Sequence, residues 1–306
     1  MADVRSVRPP TLGILTMPDD QRFFRGNRQN FIDIIEAGKQ HGVQVYVLTT
    51  SDFHPDRQRV LAYEFVEATG DWRPQWIPMP HVIYNRIPFR EDEERPEVRR
   101  LLRLCRNHPN VTLYNPSFFN KRELFQWLKQ SRTTRRFAPR TRNYSRDLKL
   151  LPMLKRYAYL YLKPQSGQAG QGIMRLRRKP SAKQPYVLSI QEDKGSQTLR
   201  FARFPDMRRT LDQLIGDQPY IVQQGIRLCT VNGRPFDLRV LVQKNRRGRW
   251  SVTGIGARMA GEASITTHVP RGGTIEDPRR LLNSAFGPRT SRQLYRRTSR
   301  AAIRIA

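Results

Sequence analysis

The feature that most constrains the fold is an apolar run that ends in a lysine and is followed by a glycine-rich loop and a second strand-like run. It reads YLYLKPQSGQAGQGIMRLRR and begins at residue 159. Alternation on both sides of the loop predicts two neighbouring strands. Glycines at Gly167, Gly170 and Gly172 would let backbone amides approach phosphate oxygens, while Lys163 would add a positive charge. A plain structural turn explains the same residues, so both interpretations stay open.

Two common nucleotide motifs are excluded at this loop. A Walker A loop needs a lysine after its last glycine and then a helix, whereas Ile173 and a strand-like run follow Gly172. A dinucleotide fingerprint has the spacing GxGxxG, and the glycines here run GxxGxG. The loop therefore predicts neither of those folds.

The first part of the chain predicts an open α/β domain over residues 1–115. A buried run at residues 12–17, a helical pattern through Phe31, Ile34, Ile35 and Gly38, and a β-branched run at residues 43–48 form a βαβ unit. Further strands are expected at residues 62–67, 81–87 and 111–114, with a charged helix at residues 93–105.

Residues 116–306 predict a second domain of the α+β type, with a smaller lobe at about 157–225 and a partial larger lobe at about 226–306. The basic segment 131–145 is expected to be a connector. The run YIVQQGI, which begins at residue 220, is interpreted either as a hinge between the lobes or as a plain buried strand. Residues 236–244 and 250–259 predict a hairpin, and the tail from residue 281 predicts one or two short basic helices.

Charged residues of that hairpin are candidates for chemistry. Asp237 and Arg239 are two apart on one strand and therefore share a face, and Arg258 lies on the neighbouring strand. They could face a cleft and complement a phosphate or an acyl-phosphate. A structural ion pair across the sheet explains them equally well.

Several blocks together resemble one family. The lysine and glycine run, YIVQQGIRL, GRPFDLRVLVQKN, WSVTGIGARMA and RGGTIED occur in the order found in the ATP-grasp proteins of the endospore coat, the YheC/YheD group. The resemblance spans nearly the whole chain and implies an ATP-grasp fold behind an N-terminal α/β lobe.

The resemblance also implies roles for single residues. Lys163 would contact nucleotide phosphates, the loop from Ser166 would close over them, and Gln223 and Gln224 would read the adenine edge. It also makes Lys121 a candidate, although a surface lysine at a helix start is equally expected. The implied nucleotide-binding residues are Lys121, Lys163, Gln165, Ser166, Gly167, Gly170, Gly172, Gln223, Gln224, Ile226 and Asp237, and the implied catalytic residues are Arg239 and Arg258.

The resemblance implies ATP and Mg²⁺ as cofactors and a carboxylate or amine as substrate, with an acyl-phosphate as the intermediate. The family's metal-binding carboxylates lie on late strands, but no Asp or Glu follows Asp277 in this chain. We therefore expect a C-terminally truncated member with weak nucleotide binding and little ligase turnover, and no metal ligands are assigned. The alternative is a non-catalytic structural or interaction protein of the spore.

Bulk composition bears on partners and location. A formal charge of +30 could attract an acidic spore component or nucleic acid, but the arginines are dispersed, so a solvated surface is expected and nucleic acid is not. Without a signal peptide or membrane-spanning run, a cytoplasmic or spore-coat-associated protein is expected. Cys105 and Cys229 have no metal or disulfide spacing and predict two reduced, buried thiols.

Overall fold

The computed structural model describes residues 9–118, 121–165, 171–192, 195–261, 264–267 and 272–306, with only the backbone at residues 121 and 122. The chain divides into two compact units, residues 1–119 and 120–306. Within the described residues, no helix is both long enough and apolar enough to cross a membrane.

The first unit is built on a mixed six-stranded sheet in the order β6-β5-β4-β1-β7-β8. Its elements are β1 (Thr11–Thr16), β2 (Pro18–Asp19), β3 (Phe23–Phe24), α1 (Arg28–Gln40), β4 (Gln44–Thr49), β5 (Arg59–Val66), β6 (Asp71–Pro78), β7 (Val82–Asn85), α2 (Arg90–Glu93), α3 (Pro96–Asn107) and β8 (Thr112–Tyr114). The strands β4, β1, β7 and β8 are parallel, as the predicted βαβ unit requires. The α/β prediction for this part of the chain is confirmed.

Alternation along β1 distributes its apolar side chains between two cores. Ile14 packs with Phe31 and Ile35 of α1. Leu15 packs with Val98 and other residues of α3. Helices therefore cover both faces of the sheet, as parallel strands require, because both of their faces are apolar.

The strand β6 was not predicted from the sequence. It pairs with β5 in antiparallel register, with Pro74 opposite Tyr63. Proline cannot donate a ladder hydrogen bond, which argues against a strand in the sequence. It is tolerated here because β6 is the outermost strand of the sheet.

The prediction of two buried thiols is correct for one cysteine and wrong for the other. Cys105 is fully buried in the core beneath α3, and burial raises the pKa of its thiol to about 12. Cys229 is exposed. Its strand places it outside the core, and the sequence spacing gave no sign of that.

A thiol reagent is expected to modify one cysteine of the folded chain rapidly and the second only after denaturation. The thiolate is the reactive form, and burial of Cys105 removes both the thiolate and access to it. The measurement is the number of thiols titrated by an aromatic disulfide before and after denaturant. Cys229→Ser should abolish the rapid phase, and two rapid thiols in the unmodified chain would contradict the assignment.

The second unit contains two antiparallel sheets. Its elements are α4 (Lys121–Gln130), β9 (Thr141–Asn143), α5 (Leu150–Arg156), β10 (Tyr159–Pro164), β11 (Met174–Arg178), β12 (Tyr186–Gln191), β13 (Ser196–Phe201), α6 (Phe204–Ile215), β14 (Tyr220–Gln224), β15 (Cys229–Val231), β16 (Arg234–Lys244), β17 (Trp250–Met259), β18 (Thr274–Glu276) and α7 (Pro278–Ile305). The six-stranded sheet has the order β13-β12-β11-β10-β14-β9, and the four-stranded sheet has the order β15-β16-β17-β18. The predicted α+β character and the β16–β17 hairpin are confirmed.

Helices α5 and α6 cover one face of this six-stranded sheet. The other face carries both apolar and polar side chains. Leu160 and Leu162 of β10 join a buried core with residues of α5 and α6. Because strand side chains alternate, Tyr161 and Lys163 point to the opposite face. This alternation positions the lysine for the candidate site.

The segment expected to be a connector contains a strand. Residues Thr141–Asn143 form β9, which pairs with β14 and places Thr141 opposite Gln223. The prediction of a connector over residues 131–145 is therefore wrong at this point. The strand was not recognised because it is short and its neighbours are rich in arginine. It forms because its backbone pairs with β14.

The C-terminal helix confirms the expectation of one or two basic helices. In α7, Gly287 has a φ of 75° and is followed by Pro288, so the helix kinks there. A positive φ suits glycine, and the proline removes a helical hydrogen bond just after it. Leu281 and Leu282 of the first part pack on Phe236 and Met259 of the four-stranded sheet.

Candidate functional site

A cleft of about 220 Å³ lies between the six-stranded and four-stranded sheets of the second unit. It brings together strand ends, the residues that leave β14 and a short segment at residues 265–267. Its lining consists of Tyr161, Lys163, Ile173, Gln223, Gln224, Ile226, Leu228, Asp237, Arg258, Ile265, Thr266 and Thr267.

Lys163 projects into this cleft from the end of β10. Its Nζ donates a hydrogen bond to Oε1 of Gln223 at 2.8 Å and lies 5.2 Å from the centre of the Tyr161 ring. The amide and the aromatic face hold the ammonium group in place. The cleft therefore holds a positioned cation at one end.

Two adjacent glutamines follow at the end of β14. Gln223 is 6% exposed and donates through Nε2 to Oγ1 of Thr141 at 3.0 Å. Gln224 accepts through Oε1 from the backbone N–H of Arg140 at 3.3 Å. The strand β9 thus orients both amides.

Apolar side chains form a wall where the chain leaves β14. Ile226 is 54% exposed although it lines the cleft with Leu228 and Ile173. Just before it, the backbone of Gly225 lies against the ring of Tyr159, whose hydroxyl donates to the carbonyl of Ile226. A flat apolar ligand would cover the exposed face of Ile226.

The opposite wall carries an ion pair. Arg258 donates through Nε and a terminal nitrogen to the two carboxylate oxygens of Asp237, both at 2.8 Å. Thr267 donates its hydroxyl to the same carboxylate at 2.7 Å. Asp237 and Arg258 thus form the ion pair across the sheet, and this pair lines the cleft. Their complementing a phosphate stays a prediction.

The segment at residues 264–267 is fastened to the six-stranded sheet. Tyr161 donates its hydroxyl to the carbonyl of Ile265 at 2.7 Å, and Gln191 accepts from Ser264 Oγ and the Ile265 N–H at 3.1 Å each. Burial raises the pKa of Tyr161 to about 12, so its hydroxyl stays protonated as a donor. These bonds narrow the cleft.

The other predicted site residues are distributed outside this lining. Gln165 follows β10 and donates its N–H to the carbonyl of Pro219. Gly172 has a φ of +65°, and its carbonyl accepts from the Tyr220 hydroxyl, which is a turn role. Arg239 is exposed on β16, and Lys121 begins α4 with its side chain outside the description. Ser166, Gly167 and Gly170 lie outside the described residues.

Sequence reasoning missed six residues of the lining. The signal for Tyr161 was present, because it is two positions before Lys163 on the same strand face. Ile173, Leu228 and the segment 265–267 carried no distinguishing pattern. The segment reaches the cleft through long-range contacts with Tyr161, Gln191 and Asp237, which no local sequence rule encodes.

The cleft offers little to a metal ion. Its only described carboxylate is Asp237, which is already engaged by Arg258 and Thr267. Across the part of the chain that the structure describes, no cluster of three His, Cys, Asp or Glu side chains is placed to hold a metal ion. These described residues do not fit a Mg²⁺ site.

The comparisons with known proteins agree with the resemblance found in the sequence. Residues 110–306 match the model of the family described as YheC/D like ATP-grasp. The endospore coat-associated protein YheD of Bacillus subtilis (strain 168) is 27% identical over 274 residues, covering 87% of this chain and 59% of that protein. YheC of the same strain is 21% identical over 226 residues, covering 74% of this chain and 61% of that protein. The chain therefore spans about three fifths of the length of these relatives.

A solved structure of the ATP-grasp ligase PsnB complexed with minimal precursor is 12% identical, with a TM-score of 0.41, and the match covers 97% of this chain and 83% of that one. Likeness at this level carries no argument, so the assignment rests on the family match. That match covers well over half of the residues. The chain belongs to the YheC/D-like ATP-grasp family.

Proposed function

We propose that the second unit binds ATP in the cleft around Lys163. The observation that carries this proposal is the convergence of a positioned ammonium group, two oriented amides and an exposed apolar wall on one concave site. A nucleotide needs these three elements, namely a cation for phosphate, amides for the base edge and apolar side chains for its faces. The family relation to ATP-grasp proteins supports the same ligand.

In this proposal the two ends of ATP lie at different parts of the cleft. The phosphates lie toward Lys163, at the end of β10 that leads into the glycine-rich loop. The adenine lies against Ile226 and Leu228, where Gln224 and backbone groups meet its edge. Gln223, which accepts from Lys163 at 2.8 Å, lies between the base and the phosphates. The roles of Ser166, Gly167, Gly170 and Lys121 remain predictions from the sequence.

The cleft must widen to admit ATP. Its volume of about 220 Å³ is smaller than the roughly 300–1,000 Å³ typical of ligand sites. The segment 264–267 narrows it through Tyr161 and Gln191. Because those two contacts and the Asp237–Thr267 bond are hydrogen bonds rather than a packed core, we propose that this segment moves outward when ATP binds.

The ligase chemistry is a broader part of the proposal. The ATP-grasp family is related to ATP-dependent ligases, so we propose a carboxylate and an amine as the substrates of the whole protein, with Arg258 near the reacting phosphate. The role of Arg239, which lies outside the described lining, stays a prediction. Low turnover by this chain stays a prediction, as does the need for Mg²⁺. The alternative of a non-catalytic spore protein stays a hypothesis, and a chain that binds no nucleotide would favour it.

Displacement of a fluorescent ATP analogue tests the proposal. We expect ATP and ADP to displace it, GTP to displace it less well because its base presents different edge groups to the glutamines, and inorganic tripolyphosphate to displace it least. Equal displacement by ATP and tripolyphosphate would instead indicate attraction to charge alone. If the analogue does not bind at all, the proposal is contradicted.

A further inference from the structure

A second cavity, of about 480 Å³, lies in the same unit, where the end of α4, the strand β9 and the helix α5 meet. Five of its nine lining residues are cations, and none is acidic. The cations are Lys129, Arg140, Arg142, Lys149 and Arg156. Two of its residues contact the lining of the ATP cleft: Thr141 accepts from Gln223, and the backbone of Arg140 bonds Gln224.

None of these five cations takes part in an ion pair within the described residues. The contacts that the structure gives their side chains are with neutral groups. Lys129 donates through Nζ to the carbonyl of Thr141 at 2.9 Å, and the Arg156 guanidinium lies over the Tyr157 ring at 5.8 Å. The described side chains around the cavity therefore leave its charge without an acidic partner.

Excess positive charge alone does not define a site, because this chain carries 56 Lys and Arg against 26 Asp and Glu. The distinguishing feature is convergence. Cations from three separate elements surround one concavity, whose remaining lining includes the apolar side chains of Pro152 and Met153. A cleft lined by charges of one sign concentrates the field and attracts ions of the opposite sign.

We infer that this cavity binds a compact anion that carries several phosphate or carboxylate groups. Arginine and lysine side chains form charge-assisted hydrogen bonds with both groups, and arginine can form them in pairs. The volume lies within the range of about 300–1,000 Å³ usual for small-ligand sites. A nucleic acid strand would need cations spread along a track with stacking aromatics, whereas these cations surround a single cavity with one aromatic ring, Tyr157.

Calorimetric titration with tripolyphosphate and, separately, with citrate tests the inference. We expect saturable binding of at least one of the two, weakened about tenfold or more in the double variant Arg142→Gln, Lys149→Gln, because two charge-assisted contacts are lost. Both side chains are exposed, so the fold should persist. The matched control, Arg246→Gln with Arg247→Gln in the turn between β16 and β17, removes the same charge elsewhere and should leave the affinity within about twofold.

The ATP cleft could also attract tripolyphosphate, so the titration is repeated on Lys163→Ala. Retained binding there, lost on adding the two cavity substitutions, supports the inference whether or not ATP binds elsewhere. Three outcomes would overturn it: no saturable binding of either anion, equal weakening by the control variant, or binding of a single-stranded oligonucleotide that tripolyphosphate and citrate fail to displace. Binding of only one anion identifies whether phosphate or carboxylate is the recognised group.

Discussion

Replacing Lys163 with alanine is expected to weaken ATP binding by about 10- to 100-fold, the loss typical of one hydrogen bond to a charged group. Lys163 is the cation that β10 directs into the cleft, and Arg258 on the opposite wall is already paired with Asp237. Arg258, the other cation of the described lining, is therefore not free to replace it. Titration calorimetry of ATP with the unmodified chain and the variant measures the effect.

Two controls separate a lost ligand contact from a damaged fold. Lys183→Ala removes an equal charge at an exposed position between β11 and β12 and should leave ATP affinity unchanged. The melting temperature of Lys163→Ala without ATP reports how far the loss of its bond to the buried Gln223 destabilises the fold, separately from its effect on ATP affinity. Equal ATP affinities of Lys163→Ala and Lys183→Ala would contradict the role of Lys163.

Replacing Gly225 with alanine is expected to lower the free energy of unfolding by about 1–3 kcal/mol, the usual cost of overpacking. A Cβ at this position would overlap the ring of Tyr159, only 2.7 Å from its Cγ. The ring cannot easily move, because its hydroxyl bonds the carbonyl of Ile226 and its edge packs on Tyr161 at 87°. Because Ile226 and Tyr161 line the cleft, ATP affinity should fall as well.

Gly254→Ala is the matched control for this substitution. Gly254 lies within β17, and a Cβ there would meet no atom within 4 Å. Its effect on the free energy of unfolding should stay within about 0.5 kcal/mol, or be slightly stabilising because alanine restricts the unfolded chain. Denaturant unfolding measures both variants, and a Gly225→Ala chain as stable as Gly254→Ala would show that this position tolerates the added atom.

Much of the site could be predicted because its residues follow local rules. The alternation of β10 assigned Lys163 to one face, and the hairpin of β16 and β17 placed Asp237 beside Arg258 in register. The glutamines at the end of β14 were predicted as site residues from the family resemblance. Where a strand continued with regular alternation, the sequence was sufficient.

The remainder depended on contacts between distant parts of the chain. The strand β6 contains Pro74 and exists because it is an edge strand. The strand β9 is only three residues long and is recognised by its pairing with β14. The segment 264–267 lies at the cleft because Tyr161, Gln191 and Asp237 bond it there. The conformation of these three segments is determined by residues far away in the sequence, so their own residues do not predict it.

The central claim is that the cleft around Lys163 is a nucleotide site, and calorimetric titration of the unmodified chain with ATP tests it most directly. The titration is run at about 50 and 200 mM salt, because nonspecific attraction to a chain of charge +30 weakens steeply with salt. On the unmodified chain we predict saturable ATP binding whose heat persists at the higher salt concentration. In the Arg142→Gln, Lys149→Gln background, which disables the second anion cavity, we predict saturation at one ATP per chain and a heat of binding larger than that of tripolyphosphate. Heat that fails to saturate, or that disappears at the higher salt concentration, would contradict it.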